Sequence, residues 1–210
     1  MFASVAAEPV VDNAKRRQIV DGARKVFLLH GFEGASMNDI AREAGVSKGT
    51  LYVYFENKER LFSVIVDEER ASHVEGIFAF DHDNDDIEGV LTRIAVEITT
   101  FLSQPRIISA MRAVMGITER MPDLGVHFYE RGPCYSRNHL AAYLDTRVAA
   151  GQLDIPDTQL AAAQFLEMAN APLVKPMFFM ANNVPPSPER IREVAASAVR
   201  LFMAGYGVKK

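Results

Sequence analysis

The chain has 210 residues, a formal charge of -4 and 49% hydrophobic residues, which is ample for a buried core and excludes disorder throughout. A single cysteine, Cys134, excludes an intramolecular disulfide and a cysteine-based metal framework, and suits a reducing compartment. No run of about 18 apolar residues occurs, and the opening MFASVAAEPVVD has neither a basic region nor a long apolar one, so a cytoplasmic chain with no membrane partner is expected.

Residues 1–12 read as a flexible arm. From Lys15 to His30, the residues Ile19, Ala23, Val26, Phe27 and His30 recur at helical spacing and form one apolar stripe, which Gly31 ends. Ser36 is placed to cap a second helix with Ile40, Ala41 and Ala44 inward and Asp39 in its first turn. Gly45 supplies a turn, Ser47 caps a short third helix to about Tyr54, and Asn57 caps a fourth that runs through Leu61, Phe62, Ile65 and Val66 toward Phe80. The polar segment DHDNDD at 81–86 is the best candidate for a boundary.

Beyond it the helical period continues, at about 86–103, 105–120, 122–150 with a break near Gly132 and Pro133, and 157–181. A last helix has Ser187 as its N-cap and Pro188 in its first turn, and ends near Gly205. No period-2 alternation is long enough for a strand, so the expected fold is all-α. The organisation read from this pattern is a helix-turn-helix domain at 13–60, with its fourth helix continuing to about 80, followed by a larger helical domain at 81–210, to which the family resemblance set out below gives effector binding and dimerisation.

Charge is distributed unevenly. Residues 13–60 hold nine Lys/Arg against six Asp/Glu, leaving 14 against 21 elsewhere, so the basic excess sits with the two short helices. Those helices, SMNDIAREAGVSKGTLYVYFENK at 36–58, have the spacing of a unit that reads DNA. A helix entering the major groove needs short or polar side chains at its tip. Lys48 offers a cation to phosphate or guanine, Gly49 lets the backbone come close, and Thr50 carries a hydroxyl and a methyl. Tyr52 and Tyr54 place hydroxyls on rigid rings, Leu51 and Phe55 turn back to the core, and Lys58 is expected at the sugar-phosphate backbone.

Residues 13–60 closely resemble the DNA-binding domain of the TetR family of bacterial transcription regulators, through GFEGASMNDIA, AGVSKGTLYVYF and NKERLF. The resemblance implies a homodimeric repressor on a near-palindromic, double-stranded DNA operator, with a larger helical domain that binds a small molecule and releases the DNA. Carried over residue by residue, the DNA contacts are Met37, Asn38, Ser47, Lys48, Gly49, Thr50, Tyr52, Tyr54 and Lys58. The lysines would set affinity and salt dependence, with Asn38, Thr50 and Tyr54 nearer the bases. Met37 stands where the family often has Thr or Ser, so a phosphate contact is in doubt there. The stretch 106–132 is also similar to AefR-like members of the family.

In the last helix Ile191, Val194, Ala195, Ala198, Val199 and Phe202 form a stripe rich in small residues, and the resemblance makes this stripe the expected dimer interface. Phe101, Met111, Met115, Phe128, Phe165, Met168 and Phe178 are the candidates to line a site for an apolar or amphipathic effector, because methionine and aromatic side chains adapt to such ligands, although for any one of them ordinary core is the commoner role. No cofactor is implied. Asp81, Asp83 and Asp85 imitate a calcium loop, but Asp86 replaces its glycine and Thr92 its bidentate glutamate. His127 and His139 lack companions for zinc, and no catalytic constellation is visible. Two other readings stay open: an activator or nucleoid-associated DNA binder without an effector, and a ligand-binding or enzymatic dimer that has lost its operator.

Overall fold

A computed structural model of the protein describes residues 13–79 and 86–208, so the predicted arm and the segment 81–85, with its calcium-like aspartates, lie outside the described residues. The helices are α1 (Asn13–Gly34), α2 (Met37–Glu43), α3 (Lys48–Tyr54), α4 (Lys58–Ile77), α5 (Ile87–Leu102), α6 (Pro105–Ile117), α7 (Pro122–Tyr129), α8 (Tyr135–Ala149), α9 (Thr158–Phe178) and α10 (Pro188–Tyr206). The fold is all-α; among the described residues, extended pairing is confined to an isolated antiparallel bridge between Leu153 and Gly207.

The helix starts follow from local hydrogen bonding. Ser36, Ser47 and Ser187 accept the backbone N–H of Asp39, Thr50 and Arg190 at 3.2, 3.0 and 3.2 Å. Asn57, Asp86 and Asp157 do the same for Arg60, Gly89 and Leu160 at 2.8, 2.9 and 2.9 Å. Each cap satisfies a donor that the first helical turn leaves over, worth about 1 kcal/mol. The helix foreseen over 122–150 is interrupted by a wide π turn at Glu130–Cys134. Pro133 has no N–H to give the carbonyl one turn earlier, and the widened turn absorbs that defect.

Two compact units divide after Ile65, within α4 and upstream of the polar segment. In the first unit the rings of Phe27, Phe32 and Phe62 pack with centroids 5.1 to 5.6 Å apart, around Ile19, Ile40, Leu51 and Leu61, which have no exposure. Gly31, at φ 69°, breaks the helical path of α1, as its lack of a Cβ allows. His30, just before this break, is exposed and not part of the inward stripe.

The second unit is built on α5, α8, α9 and α10, with Leu91, Ile94, Leu140, Leu144 and Phe165 fully buried between them. Thr99 on α5 donates its hydroxyl to the Ala169 carbonyl of α9 at 3.1 Å, pinning the two helices in a dry interior. Phe202 of α10 meets Phe165 edge-on at 5.3 Å. Here the structure corrects the expected dimer interface. Ile191, Val194, Ala195, Ala198, Val199 and Phe202 are all between 1% and 9% exposed within the single chain. They are α10's contribution to its own core, because a small-residue stripe suits close approach to α5 and α9 just as well as to a second copy.

Candidate nucleic-acid interface

The first unit holds α2 and α3 at a fixed angle through the turn between them. Gly45 adopts φ 62°, and its neighbours close the end of α2 with N–H bonds from Gly45 to Arg42 O at 3.2 Å and from Val46 to Ala41 O at 3.0 Å. The Gln18 amide donates to the Ala44 carbonyl, tying this turn to α1. Ala44 in turn lies so close to Gly22 that a Cβ there would come within 2.8 to 2.9 Å of its Cβ, Cα and N. The seat of α2 on α1 therefore depends on a glycine, a requirement visible only in the packing.

At the start of α2, Asp39 accepts from the Ser36 hydroxyl at 2.5 Å and from Arg42 at 2.6 Å. The Ser36 hydroxyl first, and then Arg42, hold its carboxyl below the usual aspartate range. The carboxylate is therefore ionised at neutral pH and supports the positive end of α2. Asn38 beside it is exposed and Met37 is half-buried, so Met37 packs in part where a hydroxyl would have faced outward.

Leu51, with no exposure, and Phe55, at 3%, fix the inward side of α3. Lys48, Gly49, Tyr52 and Val53 are exposed, while Thr50 and Tyr54 are half-buried at the edges. The Lys48 ammonium lies 6.0 Å from the Tyr52 ring centroid. Ser47 and Thr50 bond hydroxyl to hydroxyl at 2.8 Å, so Ser47 serves the cap and steadies Thr50. The structure thus brings Lys48, Gly49, Thr50, Tyr52 and Tyr54 to one short helix and adds Val53, which the sequence reading passed over. Its signal was its position, two residues from both inward anchors.

Lys58 departs from its expected place. Its ammonium donates to the carbonyls of Phe32 at 2.9 Å, Ala35 at 3.2 Å and Glu33 at 3.4 Å, and lies 4.6 Å from the Phe32 ring centroid. All three bonds are directed at the end of α1, where a cation suits the negative end of the helix. In this structure it closes the end of α1. Lys58→Ala is accordingly expected to lower the unit's stability by about 1–2 kcal/mol in thermal melts, with the salt slope of DNA binding unchanged. A slope reduced by about one would restore the phosphate role.

The effector candidates scatter. Phe165 and Phe101, at 0% and 9% exposure, are packed in the core, and Met115 is 64% exposed on α6, so the structure does not bring these three together. Met111 and Met168 are partly buried against the main core, and Phe128 and Phe178 are half-buried.

An exposed short helix, capped and anchored behind a glycine turn, defines a helix-turn-helix DNA-binding protein. Two family profiles match the chain: "Bacterial regulatory proteins, tetR family" over residues 19–65, and "AefR-like transcriptional repressor, C-terminal domain" over residues 89–208. The chain belongs to the TetR family of bacterial transcriptional regulators, with an AefR-like repressor C-terminal domain. It is 37% identical over 71 residues to the transcriptional repressor AcnR of Corynebacterium diphtheriae, covering 32% of this chain and 37% of that one. It is 43% identical over 56 residues to the A-factor receptor protein of Streptomyces griseus, covering 27% and 20%. The match thus spans well under half the length of these relatives. Among solved structures, a TetR-family regulator from Mesorhizobium loti superposes with TM-score 0.84 at 27% identity, covering 93% of this chain and 98% of that one. The flavonoid-responsive regulator FrrA superposes with TM-score 0.77 at 27% identity, covering 94% and 99%.

Proposed function

We propose that the protein is a homodimeric repressor that holds a near-palindromic DNA operator and releases it when the second unit binds a small apolar or amphipathic compound. The observation that carries this reading is the exposed face of α3, where Lys48, Gly49, Tyr52 and Val53 are turned to solvent while Leu51 and Phe55 are spent on the core. Lys48 supplies phosphate attraction, and Thr50, Tyr52 and Tyr54 supply hydroxyls for base edges or phosphates. Asn38 approaches from the start of α2.

Dimerisation uses the side of α10 opposite its core stripe. There Ala196, Arg200, Leu201 and Ala204 are exposed, as are Leu160 on α9 and Val208 just past the end of α10; Leu201, Leu160 and Val208 keep 59%, 53% and 51% of their surface. Small and apolar residues sharing an outward face permit a second copy to approach closely. An aromatic effector is favoured by the likeness over nearly the whole chain to a flavonoid-responsive regulator and by the partly buried Met111 and Met168. If that compound prefers the dimer whose reading heads are misplaced, linkage requires it to weaken operator binding by the same factor.

Selection of bound sequences from random DNA duplexes tests the reading. It is expected to yield a two-fold symmetric site with half-sites about one helical turn apart, released by a planar aromatic such as a flavonoid. A site indifferent to every compound would favour an effector-independent binder. Enrichment of no sequence at all would favour a ligand-binding dimer that has lost its operator.

A further inference from the structure

The centre of the exposed face of α3 is an aliphatic side chain. At 100° per residue, Val53 is turned 200° from both Leu51 and Phe55, so it points directly away from the core. It is 73% exposed, against 46% for Tyr52. One turn earlier stands Gly49, where a Cβ would meet nothing nearer than the Ser47 hydroxyl at 3.8 Å. The ridge that faces outward therefore has open space at Gly49 and an isopropyl group at Val53, with tyrosines on either flank.

The described residues leave this isopropyl group largely uncovered, and it has neither donor nor acceptor for a base edge. In the major groove one feature is apolar, the 5-methyl group of thymine. Val53 is also β-branched, so within a helix its methyls sit in one strongly preferred rotamer before any partner arrives, and little freedom is lost on contact. The open position at Gly49 lets the helix backbone come close enough for a side chain this short to reach the floor of the groove.

The geometry points to Val53 as the residue that reads the 5-methyl group of a thymine near the centre of each half-site, an inference that rests on the proposed entry of α3 into the major groove. It requires an A·T pair at that point and rejects cytosine there by the missing methyl. Lys48 and the tyrosines supply attraction and register, while Val53 supplies choice.

The full-length protein is first used to select its own duplex, a step that stands or falls with DNA binding alone. In the selected duplex each thymine is then replaced by deoxyuridine, which removes only the methyl. At one thymine per half-site the replacement is expected to weaken binding by about fourfold, the value of one buried methyl, and by about fifteenfold when both half-sites carry it. With Val53→Ala, whose melting temperature should match the parent because the site is exposed, the same replacement has no effect, and repeated selection loses the thymine preference at that position alone. A deoxyuridine penalty that persists in Val53→Ala overturns the inference. So does a consensus unchanged by the substitution, or loss of all DNA binding on removing these two methyls.

Discussion

Phe202→Ala is expected to destabilise the second unit by about 3–5 kcal/mol, whereas Leu201→Glu, one residue earlier, is expected to convert the proposed dimer to monomers without unfolding them. Phe202 is 1% exposed and its ring packs edge-on against Phe165 at 5.3 Å and tilted on Tyr206 at 5.0 Å, so truncation leaves a cavity walled by aromatic rings. Leu201 is 59% exposed and is turned 100° away from it, onto the side proposed for the partner. A carboxylate there costs the free chain little and would be buried unpaired in the pair. Urea titration at several protein concentrations, with light scattering for mass, separates the two effects. A Leu201→Glu protein that stays dimeric would remove α10's outer side from the interface.

Gly22→Val is expected to abolish specific DNA binding through the fold, and Gly22→Ala to weaken it. A Cβ at Gly22 would sit 2.8 Å from Ala44 Cβ and 2.9 Å from its Cα and backbone N. Backbone atoms cannot swing aside as a side-chain end can, so α2 must move. In helix propensity alone Ala would gain about 1 kcal/mol over Gly, yet overpacking of a fixed site costs about 1–3 kcal/mol, so the net change is unfavourable. Because Ala44 adjoins the turn at Gly45, the displacement is passed to α3. Operator affinity should then fall by more than the loss of folded protein explains, when melting curves and mobility shifts are read together. Unchanged affinity for Gly22→Ala would show that the seat tolerates a methyl.

What could be read beforehand was what depends on neighbours in the chain. The caps at Ser36, Ser47, Asn57 and Ser187 each involve a bond to the residue three further on, and a three-residue pattern is visible in a string of letters. The glycine turns at Gly31 and Gly45 and the interruption near Pro133 belong to the same class. The side chains whose surroundings the letters do not reveal are those whose partners are distant. Lys58 reaches carbonyls 23 to 26 residues away, and a lysine's spelling carries no hint of whether its ammonium meets water, phosphate or a helix end. The stripe on α10 was recognised as a stripe, but periodicity says only that a face is covered, not whether its own chain or another covers it. Val53 was overlooked for a related reason, since an aliphatic residue beside a core leucine reads as core until its direction is worked out.

The widened turn at Glu130–Cys134 sets the register of everything after it. A π turn holds one residue more than an α-helical turn, so the face that α8 turns to the core depends on that extra residue. Deleting one residue there would rotate α8 by about 100° against α7, swinging Leu140 and Leu144, both without exposure now, toward water.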